Sequence, residues 1–292
     1  MKRAILSLFA VLSMVIAPLA AQAGADDLQP YVLASNGAGT VDGKVADVKS
    51  ALSGAGFEVV GDYRPYAGAA VVVATSAELK KTAGMTEHGG FGAVVRVGIT
   101  EADGKVQVSY TNPAYWAAAY RMKGNLDGVS AAMKKALGAE SSFGYGKGFS
   151  SDDLRGYHYM MMMPYFDDAD ELGSFGSQAA AVKAVEANLK AGKGGTGMVY
   201  RVDLPGGKAT LFGVSFGSGS AADKAVMGII DGGKMHHTAH LPYEVLVEGG
   251  KVYALHGKFR IAIAFPELTM GTFMKISDVP GAITETLEVI AK

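Results

Sequence analysis

An internal repeat constrains the fold of this 292-residue chain more than any other feature of its sequence. The segment Gly104–Pro113 aligns without a gap on Gly257–Pro266, and the same offset carries Ser130–Leu137 onto Ile283–Ile290. This alignment leaves five extra residues in the second copy, near Lys251–His256. Because repeated supersecondary units bury their apolar faces against one another, the repeat predicts two similar units packed together as a pseudo-dimer.

The limits of the repeat predict the domain organisation. We expect the first repeat domain at residues 28–140 and the second at residues 152–292. Between them, residues 141–151 are rich in glycine and serine, a composition typical of a linker. A monomer with this internal pseudo-dimer and a homo-oligomer are both compatible with the sequence.

Hydrophobic periodicity predicts the elements of each unit. Valine-rich runs bounded by turn residues are typical of strands, and apolar residues at helical spacing are typical of amphipathic helices. Helices that interrupt and follow a run of strands favour an α+β fold in which each sheet is covered on one face. The predicted strands are Pro30–Ala34, Phe57–Tyr63, Ala69–Thr75, Ala93–Thr100, Lys105–Tyr110, Tyr157–Met163, Thr196–Leu204, Ala209–Phe216, Tyr243–Glu248 and Phe259–Phe265. The predicted helices are Val45–Leu52, Ser76–Ala83, Asp127–Leu137, Gln178–Leu189 and Gly281–Ala291.

Two strand motifs resemble those of a known family. Ser109–Tyr115 reads Ser-Tyr-Thr-Asn-Pro-Ala-Tyr, and His240–Val247 places a Leu-Pro pair before an apolar run. Both resemble signatures of the domain of unknown function 302 family, here as two tandem copies. The resemblance implies a β-α-β(4)-α unit similar to half of the TATA-binding-protein fold, and single-copy relatives that pair as homodimers. It implies no particular activity, because a shared fold does not fix function.

Residues 1–23 have the three-part pattern of a secretory signal peptide. Lys2 and Arg3 precede an apolar run over residues 4–17, and the tripeptide Ala-Gln-Ala at 21–23 presents the small residues that a signal peptidase reads. The apolar run is shorter than the roughly 20 residues of a membrane span. We therefore expect an exported, soluble periplasmic protein with no membrane anchor after cleavage.

Composition excludes several functional classes. The chain has no cysteine, which excludes a disulfide, a thiolate metal site, an iron–sulfur cluster and a cysteine nucleophile. Its 27 basic and 28 acidic residues give no basic excess, which argues against nucleic acid as a partner. Apolar residues make up 49% of the chain, enough to form packed cores without disulfides.

The densest candidate chemistry lies at residues 235–240, where a methionine precedes three histidines. Imidazole and thioether groups suit copper, and imidazole also suits zinc. We therefore predict a non-enzymatic protein that binds copper or zinc at this loop. The predicted ligands are Met235, His236, His237 and His240, with His88 or His256 completing the set. The alternatives are a solvated polar loop and an enzyme that uses one histidine as a general acid or base.

A groove between the two copies is the second candidate site. Tyrosine and tryptophan side chains can line a pocket for an apolar or planar ligand. The ligand of this groove would be a small organic molecule or a partner protein. The residues assigned to it are Tyr115, Trp116, Asn112 and His158.

Two further runs have structural interpretations. Met160–Met163 falls at the first-strand position of the second copy, which predicts a strand buried in the core or the domain interface. The acidic run Asp167–Glu171 lacks the ligand spacing of a calcium-binding loop and predicts a solvated turn.

Overall fold

The computed structural model describes residues 28–292, which form two antiparallel sheets with helices packed around them. The α+β class predicted from the hydrophobic pattern is confirmed. The predicted signal peptide at residues 1–23 lies outside the described residues. Over 28–292, no helix is long and apolar enough to cross a membrane.

The first half of the chain forms a six-stranded sheet. Its elements are β1 (Tyr31–Gly37), α1 (Val41–Gly54), β2 (Glu58–Tyr63), β3 (Ala69–Thr75), α2 (Ala77–Ala83), β4 (Val95–Ala102), β5 (Lys105–Thr111), α3 (Pro113–Ala119), α4 (Asp127–Leu137) and β6 (Ser141–Phe143). The strand order is β2-β3-β4-β5-β1-β6. Strand β6 pairs with β1, so the first three residues of the glycine- and serine-rich segment 141–151 form the edge of this sheet.

Local sequence explains where several of these elements begin and turn. Thr40 and Ser76 cap α1 and α2, because each side-chain oxygen accepts the backbone N–H three residues further on. Asp103 and Gly104 join β4 to β5 and both have positive φ, the conformation that a type I′ hairpin turn requires. All five predicted strands and all three predicted helices of this half form within four residues of their expected limits.

The second half forms a five-stranded sheet. Its elements are α5 (Ser151–Arg155), β7 (Asp170–Ser174), α6 (Gln178–Lys190), β8 (Thr196–Asp203), β9 (Ala209–Phe216), α7 (Asp223–Ile230), β10 (Tyr243–Glu248), β11 (Lys251–Ala254), α8 (Gly257–Ala264), α9 (Met270–Phe273) and α10 (Val279–Ile290). The strand order β7-β11-β10-β9-β8 corresponds to the order β1-β5-β4-β3-β2 of the first sheet. The two halves therefore share one strand order.

The predicted register of the repeat is wrong near its end. Strand β11 forms inside the supposed insertion, and the predicted strand Phe259–Phe265 is instead helix α8. Gly249 and Gly250 form the same positive-φ turn as the Asp-Gly pair of the first half, so Gly250-Lys251-Val252 matches Gly104-Lys105-Val106. Helix α8 is buried nearly all round, and an apolar run of that kind does not distinguish a strand from a helix.

The methionine run is exposed, which corrects the prediction of a buried strand. Residues 157–163 form no strand, and the first strand of this half is β7, which begins within the segment Asp167–Glu171 that was predicted to be a solvated turn. Met161 and Met162 are 83% and 95% exposed. Met162 has a φ of 71°, a left-handed conformation that interrupts an extended strand.

Each half places a short helical turn on the sheet of the other half. The turn Thr238–His240 precedes β10 and packs on β4, where Gly98 leaves room for it. A Cβ on Gly98 would lie 2.6 Å from the nitrogen of Ala239. The turn Gly89–Gly92 precedes β4 and packs reciprocally on the second sheet. These contacts bring the histidine-rich segment to the boundary between the halves.

Candidate functional site

The three clustered histidines lie on one loop, residues 231–240, which connects α7 to β10 and is called the histidine loop below. Gln107 on β5 holds the middle of this loop. Its Oε1 accepts the backbone N–H of His236 at 3.0 Å, and its Nε2 donates to the backbone oxygen of His236 at 2.7 Å. Because Gln107 is buried, this pair of hydrogen bonds fixes the loop of the second half on the sheet of the first.

Three hydroxyl groups contact one another beneath the histidine loop. Thr238 Oγ1 lies 2.6 Å from Thr100 Oγ1 and 3.2 Å from the hydroxyl of Tyr66. Both threonines are buried. Burial raises the pKa of Tyr66 to about 12, so its hydroxyl remains a hydrogen-bond donor at neutral pH.

Asp231 contacts two of the three histidines. Its Oδ1 accepts from the backbone N–H and from Nδ1 of His237, both at 2.8 Å, and its Oδ2 lies 3.6 Å from Nδ1 of His236. Burial opposes ionisation of this carboxyl, but the interactions with the two histidines outweigh burial and hold the pKa of Asp231 below its usual value. The same carboxylate raises the pKa of His236. Because Nδ1 of each ring faces Asp231, Nε2 is the nitrogen left for another partner.

The two imidazoles differ in what surrounds them. The ring of His237 is enclosed by the rings of Tyr31, Phe143 and Phe265, at centroid distances between 4.9 and 5.3 Å. The ring of His236 instead lines an open groove between the two halves. His236 is the less enclosed of the pair, with its side chain 22% exposed against 17% for His237, which lines a separate recess beside Phe265 and Glu267.

His240 is a buried residue bound to an arginine. Arg260 Nη1 lies 3.1 Å from His240 Nε2, and Arg260 Nη2 donates to the backbone oxygen of His240 at 2.7 Å. The guanidinium carbon of Arg260 also lies 4.1 Å from the ring centre of Tyr243. Burial, and then the nearby arginine, lower the pKa of His240 well below its usual value, so this imidazole is neutral. A guanidinium on Nε2 leaves no place there for a metal cation.

Two arginines share one glutamate beneath the histidine loop. Arg96 donates to Glu244 Oε1, and Arg260 donates to Glu244 Oε2 at 3.2 Å. The hydroxyl of Tyr200 donates to Oε1 at 3.1 Å. All four side chains are buried, and the guanidinium of Arg96 lies 5.5 Å from the ring centre of Trp116. This ion-pair network joins β4 of the first half to β10 and α8 of the second.

The residues that position the histidine loop were not predicted from the sequence. Arg96, Glu244 and Arg260 each interrupt a run of apolar residues, and a charge in a buried run needs an oppositely charged or hydrogen-bonding partner. That interruption was a usable signal. Gln107 and Asp231 carried no such signal, since their roles depend on contacts between segments far apart in the chain.

The predicted metal ligands do not converge. His88 lies before the turn of the first half, with Nδ1 3.2 Å from Glu248 Oε2 and its ring against Tyr253. His256 begins α8, where its Nδ1 accepts the backbone N–H two residues further on. Met235 packs at the edge of the hydrophobic core. Across residues 28–292, no three histidine, cysteine, aspartate or glutamate side chains are grouped closely enough to hold a metal ion.

The residues predicted to line a groove between the copies lie elsewhere. Tyr115 and Trp116 on α3 are buried and donate to main-chain carbonyl oxygens at 2.7 and 3.0 Å. Asn112 precedes α3 and donates to another main-chain carbonyl at 2.9 Å. The ring of His158 packs on Tyr165, 4.5 Å away. Tyr115 and Trp116 are thus core residues, and their aromatic surface is covered.

A groove between the halves does exist, with different residues along it. Its volume is about 320 Å³, and both halves contribute to its walls. Its polar side chains are Tyr66, Thr100, Glu101, Lys224, Asp231 and His236. A wider recess that shares Tyr66 and Glu101 extends the groove towards Arg64.

Comparison of the chain with protein-family models, with curated proteins and with solved structures finds no match.

Proposed function

We propose that the protein is a periplasmic, non-enzymatic binding protein, an internal pseudo-dimer that holds a small organic acid in the groove between its halves. The observation that carries this proposal is the position of His236. Its imidazole lines the groove, and Asp231 and Gln107 fix the ring and the main chain behind it. The groove, at about 320 Å³, lies at the lower end of the roughly 300–1,000 Å³ typical of small-molecule sites.

Two cationic groups of the groove, His236 and Lys224, can bind the carboxylate of an acidic ligand beside the carboxylates of Asp231 and Glu101. Asp231 raises the pKa of His236, which increases the fraction of imidazolium at neutral pH, and Lys224 adds a second cation. Both groups form charge-assisted hydrogen bonds with a carboxylate. Glu101, on the same groove, accepts hydrogen bonds from a hydroxyl or amino group. This combination favours a hydroxy acid or an amino acid over a plain carboxylate.

Binding is favoured over catalysis by the hydroxyl groups of the site. Thr238 contacts the hydroxyl groups of both Thr100 and Tyr66, so neither threonine is activated by a histidine as a nucleophile would be. Copper or zinc at the histidine loop is less well supported, because Arg260 contacts Nε2 of His240 and no three histidine, cysteine, aspartate or glutamate side chains within residues 28–292 are grouped closely enough to hold a metal ion. The signal-peptide pattern of residues 1–23 supports the periplasmic location.

The test is a titration of the purified chain, residues 24–292, with lactate, malate and alanine, monitored by backbone amide NMR. Lactamide serves as the neutral counterpart of lactate. We expect the carboxylates to shift the signals of Tyr66, Glu101 and His236. The variant His236→Ala should bind about 10- to 100-fold more weakly, because a hydrogen bond to a charged group contributes roughly 1.5–3 kcal/mol.

Two controls separate the groove from general charge effects. His158→Ala removes an imidazole outside the groove and should leave binding unchanged. Binding by the wild type should also weaken as the pH rises through the elevated pKa of His236, since the imidazolium then loses its proton. Equal binding of lactate and lactamide, or unchanged binding by His236→Ala, would contradict the proposal.

A further inference from the structure

Exposed methionines are concentrated at one place on the surface. Among the described residues, six methionines are at least 42% exposed, and five of them fall in the segments 160–163 and 270–274. The five are Met160, Met161, Met162, Met270 and Met274, and the sixth is Met85. Exposed apolar side chains that cluster in this way indicate a binding surface.

The two methionine segments meet at a cavity of about 80 Å³. Met160 and Met163 line it from the loop before β7, and Met270 lines it from α9, more than 100 residues along the chain. The rings of Tyr159 and Phe273 also line it. The cavity shares no lining residue with the groove that contains His236.

We propose that this cavity binds one soft monovalent cation, copper(I), through the thioether sulfurs of Met160, Met163 and Met270. Thioethers are neutral, polarisable ligands that select copper(I) over harder cations. Aromatic rings such as those of Tyr159 and Phe273 add attraction for a cation near their faces. The step is simple coordination, and the oxidation state of the copper does not change.

The composition of the cavity determines which ions it accepts. Its lining contains no charged side chain, so calcium, magnesium and zinc find none of the carboxylate or imidazole ligands that they require. The volume exceeds the roughly 30 Å³ that one water occupies in the liquid, which leaves room for an ion after water is displaced. Methionine side chains have three rotatable bonds and can adjust around an ion.

Silver(I) is a suitable first probe, because it has the same charge and ligand preference as copper(I) and is stable in air. The full chain, residues 24–292, would carry ¹³C-labelled methionine methyl groups and be titrated with silver nitrate. We expect the methyl signals of Met160, Met163 and Met270 to shift and to saturate at one equivalent. Copper(I), added without oxygen in competition with a chromophoric chelator, should give the same stoichiometry.

Leucine substitutions separate metal binding from apolar docking. The triple variant Met160→Leu, Met163→Leu and Met270→Leu keeps the apolar surface and removes the sulfur atoms. The loss of one hydrogen bond to a metal ligand lowers metal affinity roughly 10- to 100-fold. The triple variant loses three ligands, so its affinity for silver(I) should fall by more than that. Met85→Leu, which changes an exposed methionine elsewhere, should bind normally.

Three results would overturn the proposal. One is undiminished silver(I) affinity in the triple variant. Another is a shift confined to Met161 and Met162, which would place the ion on the exposed loop. The third is a uniform shift that includes Met85, which would show adventitious binding to any exposed thioether. None of these results depends on whether the groove binds an organic acid.

Discussion

Replacing Asp223 with asparagine should change how the stability of the protein depends on pH. Asp223 begins α7 and is 2% exposed. Its Oδ2 accepts from the hydroxyl of Tyr63 and from the backbone N–H of Phe216, both at 3.2 Å, whereas its Oδ1 has no partner. Burial raises the pKa of Asp223 to about 7, against the opposing effects of those two hydrogen bonds and of Arg260.

The sign and size of the effect follow from this pKa. Between the unfolded pKa of about 3.9 and the folded value of about 7, the folded state binds more protons, so stability falls as the pH rises. One pKa unit corresponds to about 1.36 kcal/mol, so Asp223 should remove on the order of 2–3 kcal/mol between pH 5 and pH 8. Asparagine has no proton to release, so Asp223→Asn should lack this loss.

The assay is urea unfolding of the wild type and of Asp223→Asn at pH 5, 6, 7 and 8. At pH 5 Asp223 is protonated, so its O–H and the asparagine N–H both place a donor at the unpartnered Oδ1 position, and the two proteins should have similar stability. At pH 8 the variant should be the more stable protein by about 2–3 kcal/mol. The histidines contribute equally to the pH dependence of both proteins, so the difference between the proteins isolates Asp223. A gap that stays constant from pH 5 to pH 8 would refute the reasoning.

Two further substitutions test the boundary between the halves. Glu244→Gln leaves two buried arginines without their carboxylate and should lower the free energy of unfolding by about 3–5 kcal/mol in urea titrations. As the control, Glu186→Gln removes a partly exposed ion pair and should lower the free energy of unfolding by less than about 1 kcal/mol. Equal losses in the two variants would contradict this account. Gly98→Ala forces a methyl group against the nitrogen of Ala239, so it should weaken lactate binding measured by NMR, whereas Gly37→Ala meets no atom within 4 Å and should leave binding unchanged. Unchanged binding in Gly98→Ala would show that the turn does not depend on this glycine.

Most elements were predictable because their signals are local. Strands β3, β9 and β10 and helix α4 have the predicted limits, since valine-rich alternation and a 3.6-residue period need no tertiary information. The errors lie where a local signal is ambiguous. The apolar run 259–264 is buried on all sides and fits either a strand or a helix. Because this run was aligned with the strand that follows the Asp-Gly turn, the Gly-Gly turn at 249–250 was not recognised as the counterpart of that turn.

The histidine-rich segment could be singled out from the sequence, whereas the contacts of each imidazole could not. The histidine-rich segment does lie at the boundary between the halves, and His236 does line an exposed groove. What each imidazole does is decided by residues distant in sequence, Gln107, Asp231 and Arg260, and spacing along the chain contains no information on those contacts. The predicted metal site treated the three histidines as equivalent. In the structure His240 is buried and its Nε2 contacts Arg260, so this nitrogen is not available to a cation.

The two halves share a strand order, yet His88 and His236, which lie beside their short helical turns, differ in exposure, at 12% and 22% of the side chain. Gln107 and Tyr253 are both the third residue of their strands, β5 and β11. Gln107 binds only the main chain of His236 and leaves its ring free to line the groove. Tyr253 packs its ring on that of His88, and Glu248 Oε2 accepts the backbone N–H of the same histidine and lies 3.2 Å from its Nδ1. Glutamine and tyrosine at one strand position therefore give the two histidines different neighbours, and of the two rings it is that of His236 that lines the groove between the halves.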